Sequence, residues 1–137
     1  MNIRGKTFLP GDQILLKRGD VWTESILLKG NGTASSPILF SAYGTGNRPY
    51  LKGDFKQDVE AIATDYGCQG WKFVGIEIGF WFRGFLGLVS KDVDYFWFED
   101  VYFHDCAHKP SNIKYQAESI FFFTDVSVKA TLKNVTV

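Results

Sequence analysis

The sequence predicts an all-β chain wound as a right-handed parallel β-helix, and three observations carry that prediction. Aromatic residues make up 17% of 137 residues, and fourteen Gly stand against only four Pro, a balance that favours short strands joined by tight turns. A seven-residue pattern occurs at 72–78 (KFVGIEI), 97–103 (WFEDVYF) and 131–137 (TLKNVTV), each apolar two before and one and three after its hinge. The pattern's hinge residue is Gly75, Asp100 or Asn134, the residue types that best tolerate a left-handed backbone. Strand, one-residue bend, strand is the unit such a pattern encodes, and a period in the twenties with a fixed bend is what a stacked parallel coil requires.

The elements follow in chain order. Residues 13–16, 25–28 and 37–42 read as short apolar strands, separated by Arg18-Gly19-Asp20, Gly30-Asn31-Gly32 and Gly44-Thr45-Gly46-Asn47, where Gly and Asn supply positive φ at low cost. Trp22, in this opening stretch, reads as a plug over the open end of the core. In the repeats, Ile76 and Ile78, Val101 and Phe103, and Val135 and Val137 alternate with Glu77, Tyr102 and Thr136, so one face is buried and the other looks outward. Phe73, Phe98 and Leu132 should stack in one buried column and Ile76, Val101 and Val135 in the next. The step from Phe73 to Phe98 is 25 residues and from Phe98 to Leu132 is 34, which places an inserted loop near 107–118. A leucine-rich repeat has a similar period, but its recurrent Leu and Asn spacing is absent. The expected organisation is one domain over 1–137, with irregular opening coils over 1–53 and regular coils over 54–137. The core pattern breaks off at Val137 without a polar cap, so the expectation is an incomplete, N-terminal portion of a longer solenoid.

Composition also bounds function. Fifteen Lys plus Arg balance fifteen Asp plus Glu for a net charge of zero, so the general attraction to a phosphate backbone or anionic lipid is missing and no nucleic-acid partner is expected. Apolar runs such as 80–82 and 120–123 fall far short of the ~20 residues of a membrane-spanning helix. Residues 1–8 contain no continuous apolar segment of the secretory kind. Cys68 lies five residues before Phe73 and Cys106 eight after Phe98; their places in the coils are not equivalent, which favours free buried thiols over a bridge.

Residues 9–22 (LPGDQILLKRGDVW), Gly32-Thr33, Pro37-Ile38 and 42–46 (AYGTG) up to Pro49 resemble the opening coils of secreted right-handed β-helix proteins of the pectate-lyase-like superfamily. The resemblance covers roughly 8–53 closely and 71–137 in pattern. It implies an extracellular or periplasmic protein that handles polysaccharide, since members of that superfamily are commonly lyases, glycoside hydrolases or uronan epimerases, with adhesins and phage tailspikes beside them. Calcium enters only through this resemblance. Glu77 has Tyr102 and Thr136 as its coil-to-coil neighbours, so no acidic column forms to hold it. Paired carboxylates for inverting hydrolysis are also missing. The Asp-Pro-His-Asp signature of mannuronan epimerases is reduced to His104-Asp105, preceded by Tyr102-Phe103.

Two constellations are the candidates for substrate contact. His104-Asp105-Cys106-Ala107-His108-Lys109 ends a strand at the mouth of the inserted loop; a His beside a carboxylate is a general-base pairing, and the alternative is that the group caps a turn in solvent. Two His four apart have the spacing of a metal pair, but no metal site is assigned. Residues 79–85 (GFWFRGF) set aromatics and Arg83 between glycines: Trp81 offers a face to a sugar ring and Arg83 a fork to a carboxylate, unless the loop folds its rings onto the solenoid. Position 81 precedes Cys106 by 25 residues, so both stretches should leave adjacent coils at one corner. The expectation is a substrate-binding surface of Trp81, Arg83, His104, Asp105 and His108 that binds polysaccharide without cleaving it. For the protein as a whole, the resemblance implies a lyase- or glycoside-hydrolase-like polysaccharide-processing protein, to which this stretch contributes fold and glycan contacts; the alternative is a non-catalytic carbohydrate-binding or adhesive solenoid.

Overall fold

The computed structural model of the protein describes residues 3, 5–54, 59–87, 93–106, 121–123 and 128–137. Every strand among them belongs to one of three parallel sheets that wind around a common core, and no helix occurs among the described residues. The first sheet stacks β1 (Gln13–Lys17), β4 (Ile38–Tyr43), β7 (Trp71–Val74), β10 (Val93–Glu99) and β13 (Val128–Lys133). The second stacks β2 (Val21–Trp22), β5 (Tyr50–Lys52), β8 (Glu77–Gly79) and β11 (Tyr102–His104). The third stacks β3 (Ile26–Leu28), β6 (Glu60–Thr64), β9 (Arg83–Gly87) and β12 (Phe121–Phe123). One strand from each sheet makes one coil, and each coil lies on the one before it: a right-handed parallel β-helix.

Side-chain alternation builds the core. Ile14, Phe40, Phe73 and Phe98 occupy one register column of the first sheet, and Ile38, Trp71 and Phe96 the next; all are buried. Phe73 stacks face to face on Phe98 with centroids 4.9 Å apart and planes at 12°, while Phe85 of the third sheet meets both rings edge-on, the favoured packing of aromatic quadrupoles. Leu132 continues the column opposite Phe98, yet it is 56% exposed rather than buried. A solenoid side chain is covered from both sides, and β13 pairs with β10 but with no described strand beyond it. Ile76 and Val101 are buried in the next column, and Val135 is half-buried against them.

The three predicted bends all take the left-handed backbone, with φ of 68° at Gly75, 52° at Asp100 and 51° at Asn134. There the backbone leaves the first sheet for the second. The opening residues, read from sequence as irregular, supply β1, β2 and β3 to the same three sheets, but their turn is built differently, with positive φ at Gly19, Gly44 and Gly46. Trp22 sits half-buried in β2 against the core. Both cysteines are free: Cys68 is buried near the Leu28 carbonyl and Cys106 is half-buried rather than enclosed. The inserted loop predicted near 107–118 lies outside the described residues.

Candidate functional site

The outward face of the second sheet gathers the chemistry. Its strands are only two or three residues long, so each coil presents few outward side chains, and the register decides which of them meet. Tyr50, Glu77 and Tyr102 face one another on successive coils, with Thr136 bridged beyond Tyr102. The adjacent outward column is Lys52, Gly79 and His104. No side chain at Gly79 separates the imidazole from the coil beneath it.

His104 is held by five groups. Its Nε2 lies 3.1 Å from Glu77 Oε1 and its Nδ1 2.9 Å from Asp105 Oδ2. Only the doubly protonated ring donates to both carboxylates. The ring stacks on Tyr102 at 4.7 Å and 25°, lies beside Tyr50 at 5.4 Å, and receives the edge of Phe80 at 5.6 Å. Phe80 and Asp105 occupy equivalent positions one residue past Gly79 and His104, and both take the left-handed backbone, with φ of 62° and 49°, a conformation rare for residues with a Cβ. Lys52 Nζ sits 5.7 Å over the Phe80 ring.

Tyr50 stands apart within this cluster. Its hydroxyl is buried and has no hydrogen-bond partner among the described residues. Burial first, and then the negative charge of Glu77, push the phenol up to about 12, so it is a neutral donor at physiological pH. A buried hydroxyl without a partner costs free energy, and a ligand oxygen admitted by a shift of the side chains that cover it would remove that cost. The arrangement offers two tyrosine rings, an imidazole set between two carboxylates, the Tyr50 hydroxyl beneath them and the remaining carboxylate oxygens of Glu77 and Asp105. That combination of flat faces with donors and acceptors suits a polyhydroxylated ring.

Of the residues selected from sequence, the fold brings His104 and Asp105 together and sets Trp81 behind them. Trp81 is 5% exposed; its indole N–H donates to the Leu51 carbonyl at 2.9 Å and its ring lies where a Cβ on Gly53 would be. It is packed into the core and presents no open stacking face. Arg83 turns outward on the third sheet, where its guanidinium pairs with Glu60 and lies 4.5 Å over the Phe82 ring, away from the imidazole. His108 lies outside the described residues. Tyr50, Glu77, Gly79 and Tyr102 were not selected from sequence as binding residues; the signal available was the outward column of Tyr50, Glu77 and Tyr102 and the gap that Gly79 leaves beside it. Among the described residues no three His, Cys, Asp or Glu side chains converge as a metal site. The carboxylates near His104 face its ring nitrogens instead, so the residues present do not fit calcium. No helix among the described residues is long and apolar enough to cross a membrane.

No protein-family model and no curated protein sequence matches the chain. Among solved structures, it is similar to the GH136 lacto-N-biosidase from Eubacterium ramulus. The selenomethionine derivative of that protein aligns with a TM-score of 0.65 at 21% identity, and the native protein with 0.63 at 19%. Both alignments cover 96% of this chain and 30% of the other, so the chain spans under a third of that neighbour's length. At this identity the likeness is one of fold.

Proposed function

We propose that the chain is a segment of an extracellular or periplasmic polysaccharide-processing β-helix protein, of the pectate-lyase-like kind, and that it contributes a glycan-contacting surface rather than the chemical step. The observation that carries this reading is the partnerless Tyr50 hydroxyl beside a His104 ring whose two nitrogens are both occupied by carboxylates. Glycoside hydrolysis needs one carboxyl group free to give a proton and another free to attack or to activate water. Here Glu77 and Asp105 each direct one oxygen at a nitrogen of the same imidazole, so neither carboxyl group stands free of that shared contact to act as an independent acid or base. We therefore read the surface as one that binds without turnover. The fold shared with the GH136 lacto-N-biosidase supports a carbohydrate-processing setting. Calorimetric titration with a panel of neutral and acidic oligosaccharides, run with reducing-end and unsaturated-product assays, tests the reading. The expected result is binding that falls at least tenfold in Tyr102→Ala and His104→Ala, with no product formed. Absence of binding to any glycan would end the reading, and turnover abolished by His104→Ala would replace binding with catalysis.

A further inference from the structure

A second polar groove runs along the corner where the first sheet turns into the second. It crosses four successive coils, with Arg18 from the first, Asn47 and Arg48 from the second, Gly75 and Glu77 from the third and Asp100 from the fourth. The two guanidinium groups are anchored by backbone carbonyls rather than by acids: Arg18 Nη1 donates to Gly46 O at 3.3 Å, and Arg48 Nε donates across the third coil to Asp100 O at 3.1 Å. Neither has a carboxylate partner among the described residues, although ion pairs link each pair of adjacent coils at some point. The glycine at the bend keeps the floor low, since a Cβ on Gly75 would already reach van der Waals contact with Arg18 Nη2 at 3.4 Å. Each guanidinium carries five N–H donors, and each spends one on a carbonyl. Glu77, the acid at the inner end, is turned to His104.

The geometry points to an oxyanion site: Arg18 and Arg48 together take a sulfate or carboxylate substituent of a saccharide bound on the neighbouring second sheet. The planar fork of Arg matches two oxygens of either group, and a carbonyl anchor fixes each fork without neutralising it. Glu77 lines this groove and also contacts His104, so the two sites are contiguous. The inference rests on the glycan-binding reading for its saccharide, but the oxyanion site is measurable without one.

The test follows the arginine Nε–Hε signals by NMR while sodium sulfate, and separately sodium galacturonate, is titrated at constant ionic strength against sodium chloride. Saturable shifts of the Arg18 and Arg48 signals are expected with at least one of the two anions, and which one identifies the substituent. The Arg18 signal should no longer shift in Arg48→Gln, nor the Arg48 signal in Arg18→Gln, and the Arg18 shift should weaken at least fivefold in Arg48→Lys, which keeps the charge and loses the fork; the double variant Arg18→Gln/Arg48→Gln serves the companion titration. Shifts no different from those with chloride would overturn the site. A companion titration compares neutral galactan, sulfated galactan and oligogalacturonate fragments. Anionic chains should bind the wild type at least tenfold more tightly than the neutral chain and lose that advantage in the double variant. Anion saturation with no glycan bound would sustain the oxyanion site while removing the glycan reading. Equal binding of all three chains would do the reverse.

Discussion

At position 79 a side chain of any kind would meet the imidazole of His104. A Cβ there would lie 2.6 Å from Cε1, 2.7 Å from Nε2 and 2.9 Å from the Tyr50 hydroxyl oxygen, closer than such atoms approach one another. Gly79→Ala therefore displaces the ring from Glu77 and is expected to weaken glycan binding roughly tenfold, about 1.4 kcal/mol, while circular dichroism shows the coil retained; unchanged affinity would put the ligand elsewhere. Tyr50 supplies a second measurement at this scale. Its phenol is pushed up to about 12 by burial and by Glu77, above the ordinary value of 10. A group whose folded value is raised contributes stability that is complete below the unfolded value and is lost as pH climbs through the folded one. Denaturation midpoints should fall between pH 10 and 12, and Tyr50→Phe should flatten that fall. The Cys106 thiol is likewise raised, to about 11, chiefly by burial, so alkylation of the folded protein at neutral pH should be slow compared with the unfolded chain.

Within one strand and its bend, the repeat decides what is tolerated. Phe98 is buried between Phe73 and Phe85, and Phe98→Ala is expected to cost about 3 to 5 kcal/mol by chemical denaturation. Asp100 sits at φ 52°, so Asp100→Val forces a β-branched residue into the left-handed region and should cost on the order of 1 to 2 kcal/mol, with Asp100→Gly close to neutral as the control. These elements were legible because a bend restricts residue type and a buried column restricts polarity, and both leave a period in the sequence. The candidate site was legible only in part. His104 and Asp105 showed as a polar pair at a strand end, but Tyr50, Glu77 and Tyr102 are neighbours only through coil offsets of 27 and 25 residues, and Tyr50 follows a turn built differently from the repeat bend. Trp81 misled because an aromatic between glycines reads as a loop tip. The chain instead turns its ring inward beneath Leu51 and resumes as β9 two residues later.

Across the whole molecule, ion pairs clamp successive coils. Lys29 with Asp65 ties the first coil to the second, Glu60 with Arg83 the second to the third, Lys72 with Glu99 the third to the fourth, and Glu99 with Lys133 the fourth to β13. In a solenoid each coil contacts only its neighbours, so a carboxylate shared by two junctions affects both. Glu99 is that carboxylate. Its hydrogen bond from Lys133 first, and then that from Lys72, hold it down to about 2. A depressed folded value means the contribution is fully present above the ordinary carboxylate range near 4.5 and disappears as pH falls towards 2. Its size stays small, because exposed pairs are screened by water and salt, but its location predicts where acid acts first. Hydrogen exchange measured from pH 5 down to pH 2.5 should show β13 losing protection before β4 and β7, whose neighbouring coils do not depend on Glu99 alone. Glu99→Gln should bring the same loss of protection at pH 5 and make it insensitive to further acid. Simultaneous opening of all five strands of the first sheet at every pH would show instead that the aromatic column makes the stack a single cooperative unit.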